Sequence, residues 1–187
     1  MQSPIFITGN QNKADFMAKW LGMPVPHQKV ALDELQSLDI HEIVEHKARQ
    51  AYTVIGKPVL VEDSALVFHA LGKLPGPYIK WFLEELSLER ICQLLRDDDN
   101  RSATVTVSFC WFDGVTIQFF DGALDGRISA EPRGVGGFGF DPIFIPDGSE
   151  HTYAEMGDEE INRYSIRVVK LFPQLRDFLQ SLDKQAK

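Results

Sequence analysis

Four short segments of this chain carry side chains whose types and spacing suit phosphate chemistry. The first is Thr8-Gly9-Asn10-Gln11-Asn12-Lys13, which follows the apolar run Ile5-Phe6-Ile7. A turn into a helix N-terminus exposes backbone N–H groups and the positive end of the helix dipole, a setting that suits an anion. Lys13 falls in the first turn of that helix, where a cation opposes the dipole. It either faces a bound anion or is a solvated lysine beside a capped turn. The second segment is Glu62-Asp63-Ser64, which closes the apolar run Val59-Leu60-Val61. Consecutive strand side chains point to opposite faces, so one of the two acids enters a given cleft. A carboxylate at the carboxyl end of a strand can hold Mg²⁺ or orient a water. The alternative is a solvated strand end that caps the next helix.

The third segment, Leu74-Pro75-Gly76-Pro77-Tyr78-Ile79-Lys80-Trp81, sets a rigid turn before a helix and puts Lys80 in the first turn. The fourth is Gly134-Val135-Gly136-Gly137-Phe138-Gly139-Phe140-Asp141-Pro142. Its glycines permit close backbone approach to a ligand. Phe138 and Phe140 could stack on a base and Asp141 could accept a hydrogen bond from it. The alternative is a tight turn whose aromatics belong to the core. The segment fits neither the dinucleotide fingerprint nor a P-loop.

The elements that must position these residues are readable in outline. Ile5-Phe6-Ile7 reads as a buried strand. After the capping side chains of Asn10 to Asn12, the pairs Phe16/Trp20 and Met17/Leu21 mark a helix that stops at Gly22. Asp39 with Glu42 resembles a capping box for a helix with Ile40, Ile43, Val44 and Ala48 on one face. Val59 to Val61 reads as a strand ending in Glu62-Asp63. Residues 78–86 and 88–96 read as helices, with Ser87 capping the second. Alternation over Ala103 to Trp111 marks a strand, and Asp113-Gly114 a hairpin turn to a partner near 115–120, with a third strand near 123–130. A C-terminal helix near 165–183 is expected to be kinked or interrupted by Pro173. Strands interspersed with helices, plus an antiparallel meander, make a mixed α/β protein.

The 187 residues fit one domain, with the ordinary apolar and charged content of a soluble globular chain. No apolar run reaches the roughly 18 residues of a membrane span. Met1 to Thr8 lacks the basic and apolar regions of a signal peptide. Cys92 and Cys110 make no disulfide framework, which favours a reducing compartment. The net charge of -8 and the lack of a basic stripe argue against a nucleic-acid partner. An acidic protein that binds a small anion needs a few placed cations or a metal.

Five stretches together carry a resemblance: TGNQNK at 8–13, VEDSAL at 61–66, LPGPYIKWFLE at 74–84, GFGFDPIFIPDG at 137–148 and TYAEM at 152–156. In order and spacing, over nearly the whole chain, they resemble the inosine triphosphate pyrophosphatase family, most closely its animal-type members. The resemblance implies hydrolysis between the α- and β-phosphates of ITP, dITP and XTP, giving a monophosphate and pyrophosphate. It implies Mg²⁺ dependence, a homodimer and a cytoplasmic place of work. It also implies an elongated two-lobed α/β fold, with a central twisted mixed sheet flanked by helices and the active site in the cleft between lobes.

By position, the resemblance implies that Thr8, Gly9, Asn10 and Lys13 line the phosphates and that Lys47 and Lys80 neutralise their charge. Glu34 matches a metal-binding glutamate. Asp63 matches the essential aspartate, as metal ligand or as base for the attacking water, with Ser64 beside it. Phe138 would stack on the base, with Gly139, Phe140 and Asp141 shaping its pocket. One segment departs: where the family shows Lys-Asn-x-x-Ser-His-Arg, residues 161–167 read Ile-Asn-Arg-Tyr-Ser-Ile-Arg. Asn162, Ser165 and Arg167 stay, while Ile161 and Ile166 replace a lysine and a histidine that help read the purine six-position oxygen. The implied outcome is altered or relaxed base preference.

Overall fold

The computed structural model describes residues 4–95 and 100–185. Seven strands form one mixed sheet in the order β2-β1-β3-β5-β6-β7, with β4 paired to β3. These are β1 (Ile5–Ile7), β2 (His27–Gln28), β3 (Val59–Phe68), β4 (Pro75–Gly76), β5 (Ser102–Phe112), β6 (Ile117–Ile128) and β7 (Phe144–Pro146). The helices are α1 (Gln11–Leu21), α2 (Ile40–Ile55), α3 (Ile79–Glu85), α4 (Leu88–Gln93), α5 (Asp158–Tyr164) and α6 (Phe172–Gln185). Among the described residues no helix is long and apolar enough to cross a membrane. The chain divides into two compact units. The first holds the described residues up to Asp63, Val107–Gly122 and those from Arg167 on; the second holds Ser64–Thr106 and Ala123–Ile166.

In the first unit β1 lies parallel to both β2 and β3, with Phe6 opposite Leu60. Parallel strands need crossovers, and α1 and α2 supply them. The three-residue strand Ile5–Ile7 is apolar throughout because helices cover both of its faces. On one face Ile7, Val59 and Val61 pack with Val44, Ala48 and Ala51 of α2 and with Cys110 and Phe112. On the other, Phe6 meets Phe109, and Phe109 and Phe16 both meet Phe172 of α6. Local caps set the helix ends. The Asn10 side chain accepts from Lys13 N–H, and Gly22 closes α1 at φ 71°. The Arg176 guanidinium donates to the Trp20 and Leu21 carbonyls, satisfying the orphan end of the same helix. Asp39 caps α2 through His41 N–H, but Glu42 accepts from Ser37 Oγ and does not close a capping box.

In the second unit Ser87 caps α4, accepting from Arg90 N–H. That helix ends at Gln93, short of the expected 96, and residue 96 itself lies outside the described residues. The Arg101 guanidinium donates to four carbonyls, those of Cys92, Leu95, Ile128 and Ser129, tying the end of α4 to β6. Cys92 here and Cys110 of the first unit are both buried thiols.

Four further expectations need correction. The strand beginning at Val59 does not end in Glu62-Asp63; β3 continues to Phe68, so the two acids lie mid-strand. The strands expected near 115–120 and 123–130 are one strand, β6. Its apparent break, Asp121-Gly122, stays in the ladder because Asp121 accepts from Ser108 Oγ and pairs with His41. The alternation in β5 holds only to Thr106, after which every residue is buried, Ser108 and Cys110 included. The helix expected over 165–183 is instead a π-helical turn, Arg167–Leu171, followed by α6, which accommodates Pro173 in its first turn.

Candidate active site

Two charge clusters of the first unit centre on neighbouring residues of β3. Alternation turns Asp63 to the face of Val59 and Val61, under α2, and Glu62 to the face of Leu60. On the α2 side, Lys47 Nζ lies 2.6 Å from Asp63 Oδ2 and 3.2 Å from Glu34 Oε2. Burial pushes the Lys47 ammonium down, but Asp63 and then Glu34 outweigh it and hold it above its usual range. On the other side, Glu62 Oε1 lies 2.6 Å from Arg167 Nη2 and 3.3 Å from Lys13 Nζ. Burial pushes the Glu62 carboxyl up, yet the Arg167 guanidinium and the Lys13 ammonium outweigh it and hold it at about 2. The sequence leaves open whether Glu62 joins Asp63 at a metal, and here its partners are instead cations distant along the chain.

Glu34 sits in a segment without helix or strand, and α2 holds that segment in place. Gln50 donates to Asp33 Oδ2 at 2.8 Å and accepts from Asp33 N–H at 2.9 Å. Gln50 lies three residues after Lys47, on the same helix face. One turn of α2 therefore anchors the loop and presents the cation. Gln50 could have been suspected only by knowing that the loop crosses α2.

The Thr8–Lys13 turn is built by its own side chains. Thr8 Oγ1 accepts from Asn10 N–H at 3.0 Å, and Asn10 Oδ1 accepts from Lys13 N–H at 3.2 Å. These bonds fix the loop between β1 and α1. Gly9 is exposed, and the stem of Lys29 passes so near that a Cβ there would meet its carbons at 3.2 Å. Lys29 is thus a further cation at the loop, placed there by the short strand β2.

Among the described residues no three His, Cys, Asp or Glu side chains converge as a protein-only metal cage requires. Glu34 and Asp63 instead form a two-carboxylate set already drawn around a cation, the Lys47 ammonium. Mg²⁺ is commonly held by one or two carboxylates, with substrate phosphates and waters completing its shell. The donor set fits that mode.

The second unit holds the remaining expected residues: Ser64, Lys80, Phe138, Gly139, Phe140, Asp141 and Ser165. Ser64 follows Asp63 within β3 and is half-buried. Lys80 is exposed in the first turn of α3, with Nζ 4.9 Å from the Trp81 ring centre. The glycine-rich segment is organised by Asp141, whose Oδ2 accepts from Phe138 N–H at 2.7 Å. Gly137, at φ 71°, lies so close that a Cβ there would strike the Asp141 carboxylate. Phe140 is buried as a core side chain, whereas Phe138 and Gly139 stay accessible. Ser165 is buried at the end of α5 and donates its N–H to Ile161 O. Ile166 is buried and Ile161 half-buried.

The Ham1 family model matches residues 4–174. Inosine triphosphate pyrophosphatase 2 of Trypanosoma cruzi (strain CL Brener) is 47% identical over 170 residues, covering 88% of this chain and 86% of that protein. The dITP/XTP pyrophosphatase of Saccharolobus solfataricus is 40% identical over 178 residues, covering 94% and 92%. Among solved structures, a HAM1 protein from Coxiella burnetii matches with a TM-score of 0.82 at 26% identity, covering 97% of this chain and 100% of that chain.

Proposed function

The chain belongs to the Ham1 family, and from that premise we propose that it hydrolyses the non-standard purine triphosphates ITP, dITP and XTP to monophosphate and pyrophosphate. The observation that carries this reading is the pair of opposite-signed clusters on β3. Two carboxylates share one cation at Asp63, and two cations share one carboxylate at Glu62. Triphosphate chemistry asks for both, since the phosphates need fixed cations and the attacking water needs a carboxylate.

In this reading Lys13, Lys47 and Lys80 bind the phosphates, and the turn from Thr8 through Gly9 to Asn10 orients them. Asp63 accepts the proton of the water as its oxygen bonds to the α-phosphorus. The bond to the bridging oxygen of the β-phosphate breaks, and pyrophosphate leaves. Glu34 and Asp63 would hold Mg²⁺, which supplies charge neutralisation and polarisation of the phosphates. Phe138 offers a stacking face for the base, in a loop shaped by Gly139 and Asp141, with Ser64, Phe140, Ser165 and Arg167 completing the substrate set. The reading includes a homodimer working in the cytoplasm and no nucleic-acid partner. Light scattering after size exclusion tests the dimer.

The functional test is pyrophosphate release with Mg²⁺ from ITP, XTP, dITP, GTP, ATP and the pyrimidine triphosphates. Preferential release from ITP, dITP and XTP is expected; binding without release would leave a nucleotide-binding protein. One observation favours a second reading, relaxed base preference. The isoleucines at 161 and 166 donate nothing to a purine oxygen, and a pocket without donors discriminates weakly. The ratio of kcat/KM for ITP to that for ATP decides, and Ile161→Lys with Ile166→His should widen it through ITP alone.

A further inference from the structure

We infer that Glu62 is a positioning residue, whose carboxylate locks Lys13 and Arg167 together as a preset pair of cations for the phosphates of the substrate. The inference rests on the pyrophosphatase reading above and assigns a role to a side chain that this reading leaves unused. Lys13 comes from α1 and Arg167 from the turn before α6, and both reach Glu62, 49 residues from the first and 105 from the second. The exposures are ordered. Glu62 is innermost, with its side chain 4% exposed, then Arg167 at 9%, then Lys13 at 20%. The carboxylate is thus the most buried member of the trio and the Lys13 ammonium the most accessible.

A lysine on a four-carbon stem is ordinarily mobile and strongly hydrated, and it loses that freedom when it grips a ligand. Held by Glu62, it is already ordered and partly desolvated, and fixed charges cost little reorganisation when phosphate arrives. Without the carboxylate the two cations would repel each other and swing toward solvent. A purely structural role for Glu62, knitting α1 to β3 and to the turn before α6, would lower stability and leave ligand affinity unchanged. That difference is measurable.

The test compares wild type, Glu62→Gln, Glu62→Asp and, as a control for an exposed ion pair, Glu159→Gln, whose target acid is 92% exposed beside Arg163. Binding of inorganic tripolyphosphate is followed by calorimetry, and KM and kcat are measured for ITP. Glu62→Gln is expected to bind tripolyphosphate roughly tenfold or more weakly, the scale of one charge-assisted contact. Its KM should rise more than its kcat falls, and Glu62→Asp should recover part of the affinity. Unchanged affinity and KM, with only a lower melting temperature, would overturn the inference. Should Glu62→Gln fail to fold, Glu62→Asp decides alone: it keeps the charge but is too short to reach both cations, so weaker binding supports the role and wild-type binding refutes it. A wild type that releases no pyrophosphate from ITP sinks the pyrophosphatase reading, while the tripolyphosphate measurements still decide the role of Glu62. A wild type that binds no tripolyphosphate overturns it.

Discussion

On one side of β3 two carboxylates, Glu34 and Asp63, share the Lys47 ammonium; on the other, two cations, Lys13 and Arg167, share the Glu62 carboxylate. The six side chains sum to zero charge, yet each trio carries one unit of surplus, of opposite sign. The separation follows from the period of two in a strand, which sends neighbouring acids to opposite faces. The difference teaches how an acidic chain can receive an acidic substrate. The anionic trio can attract a metal and the cationic trio can attract phosphate, without either cancelling the other at close range.

Experiments can break or sharpen this contrast. The largest effect is expected on the anionic side. Chelation by EDTA should abolish pyrophosphate release and added Mg²⁺ should restore it; full activity in EDTA would remove the metal from the account. Next, Asp63→Asn should cut turnover by roughly 10²-fold or more, the scale of a lost general base. Its fold should persist, because Glu34 still pairs with Lys47; near-normal turnover would contradict the role given to Asp63.

The cationic side should answer in binding. Lys13→Ala should weaken triphosphate binding by roughly 1.5–3 kcal/mol, alike for every base, and Lys80→Ala should behave similarly. A loss confined to one base would point to base reading instead. The effects least visible at neutral pH are in stability, and they have opposite signs of pH dependence. The Glu62 carboxyl is depressed from 4.5 to about 2, so its contribution is present above pH 4.5 and is lost as pH falls toward 2. It amounts to on the order of 3 kcal/mol. Lys47 is raised above 10.5, so its contribution is present below that value and is lost as pH rises through the folded value. Denaturant unfolding at pH 6 and pH 3 should show a smaller acid loss in Glu62→Gln than in wild type; equal losses would assign the acid sensitivity elsewhere.

What was legible in the sequence was what depends on near neighbours. Asn10, Gly22, Asp39 and Ser87 act within a few residues of themselves, and each caps where its type suggested. The Asp113-Gly114 turn forms for the same reason, with Asp113 Oδ1 accepting from the N–H groups of Val115 and Thr116. The continuation of β3 was not legible. Glu62-Asp63-Ser64 is a poor strand sequence by propensity, and cations from α1, α2 and the turn before α6 offset the cost of burying its acids. The same holds at Asp121, whose support from Ser108 and His41 arrives across 13 and 80 residues. Among the candidate residues, those in compact motifs are readable from their near neighbours, whereas Glu62, Gln50 and Lys29 come to light only through partners distant along the chain. The glycine-rich segment divided between its two readings: Phe140 is core, and Phe138 is not.

The placement of Arg167 also bears on the order in which the protein can be made. The first unit is assembled from three stretches of chain, and the last of them begins at Arg167. A nascent polypeptide synthesised only as far as residue 166 already carries Glu62 and Lys13, but neither the guanidinium that sits nearest that carboxylate nor the Phe172 ring that packs on Phe16 and Phe109. The buried acid then has one cation where the finished protein gives it two, and an open flank on the sheet. Translation from the N-terminus therefore delivers the second cation of Glu62, and the ring that covers Phe16 and Phe109, only with its final stretch, and a ribosome stalled before Arg167 holds a first unit that lacks both.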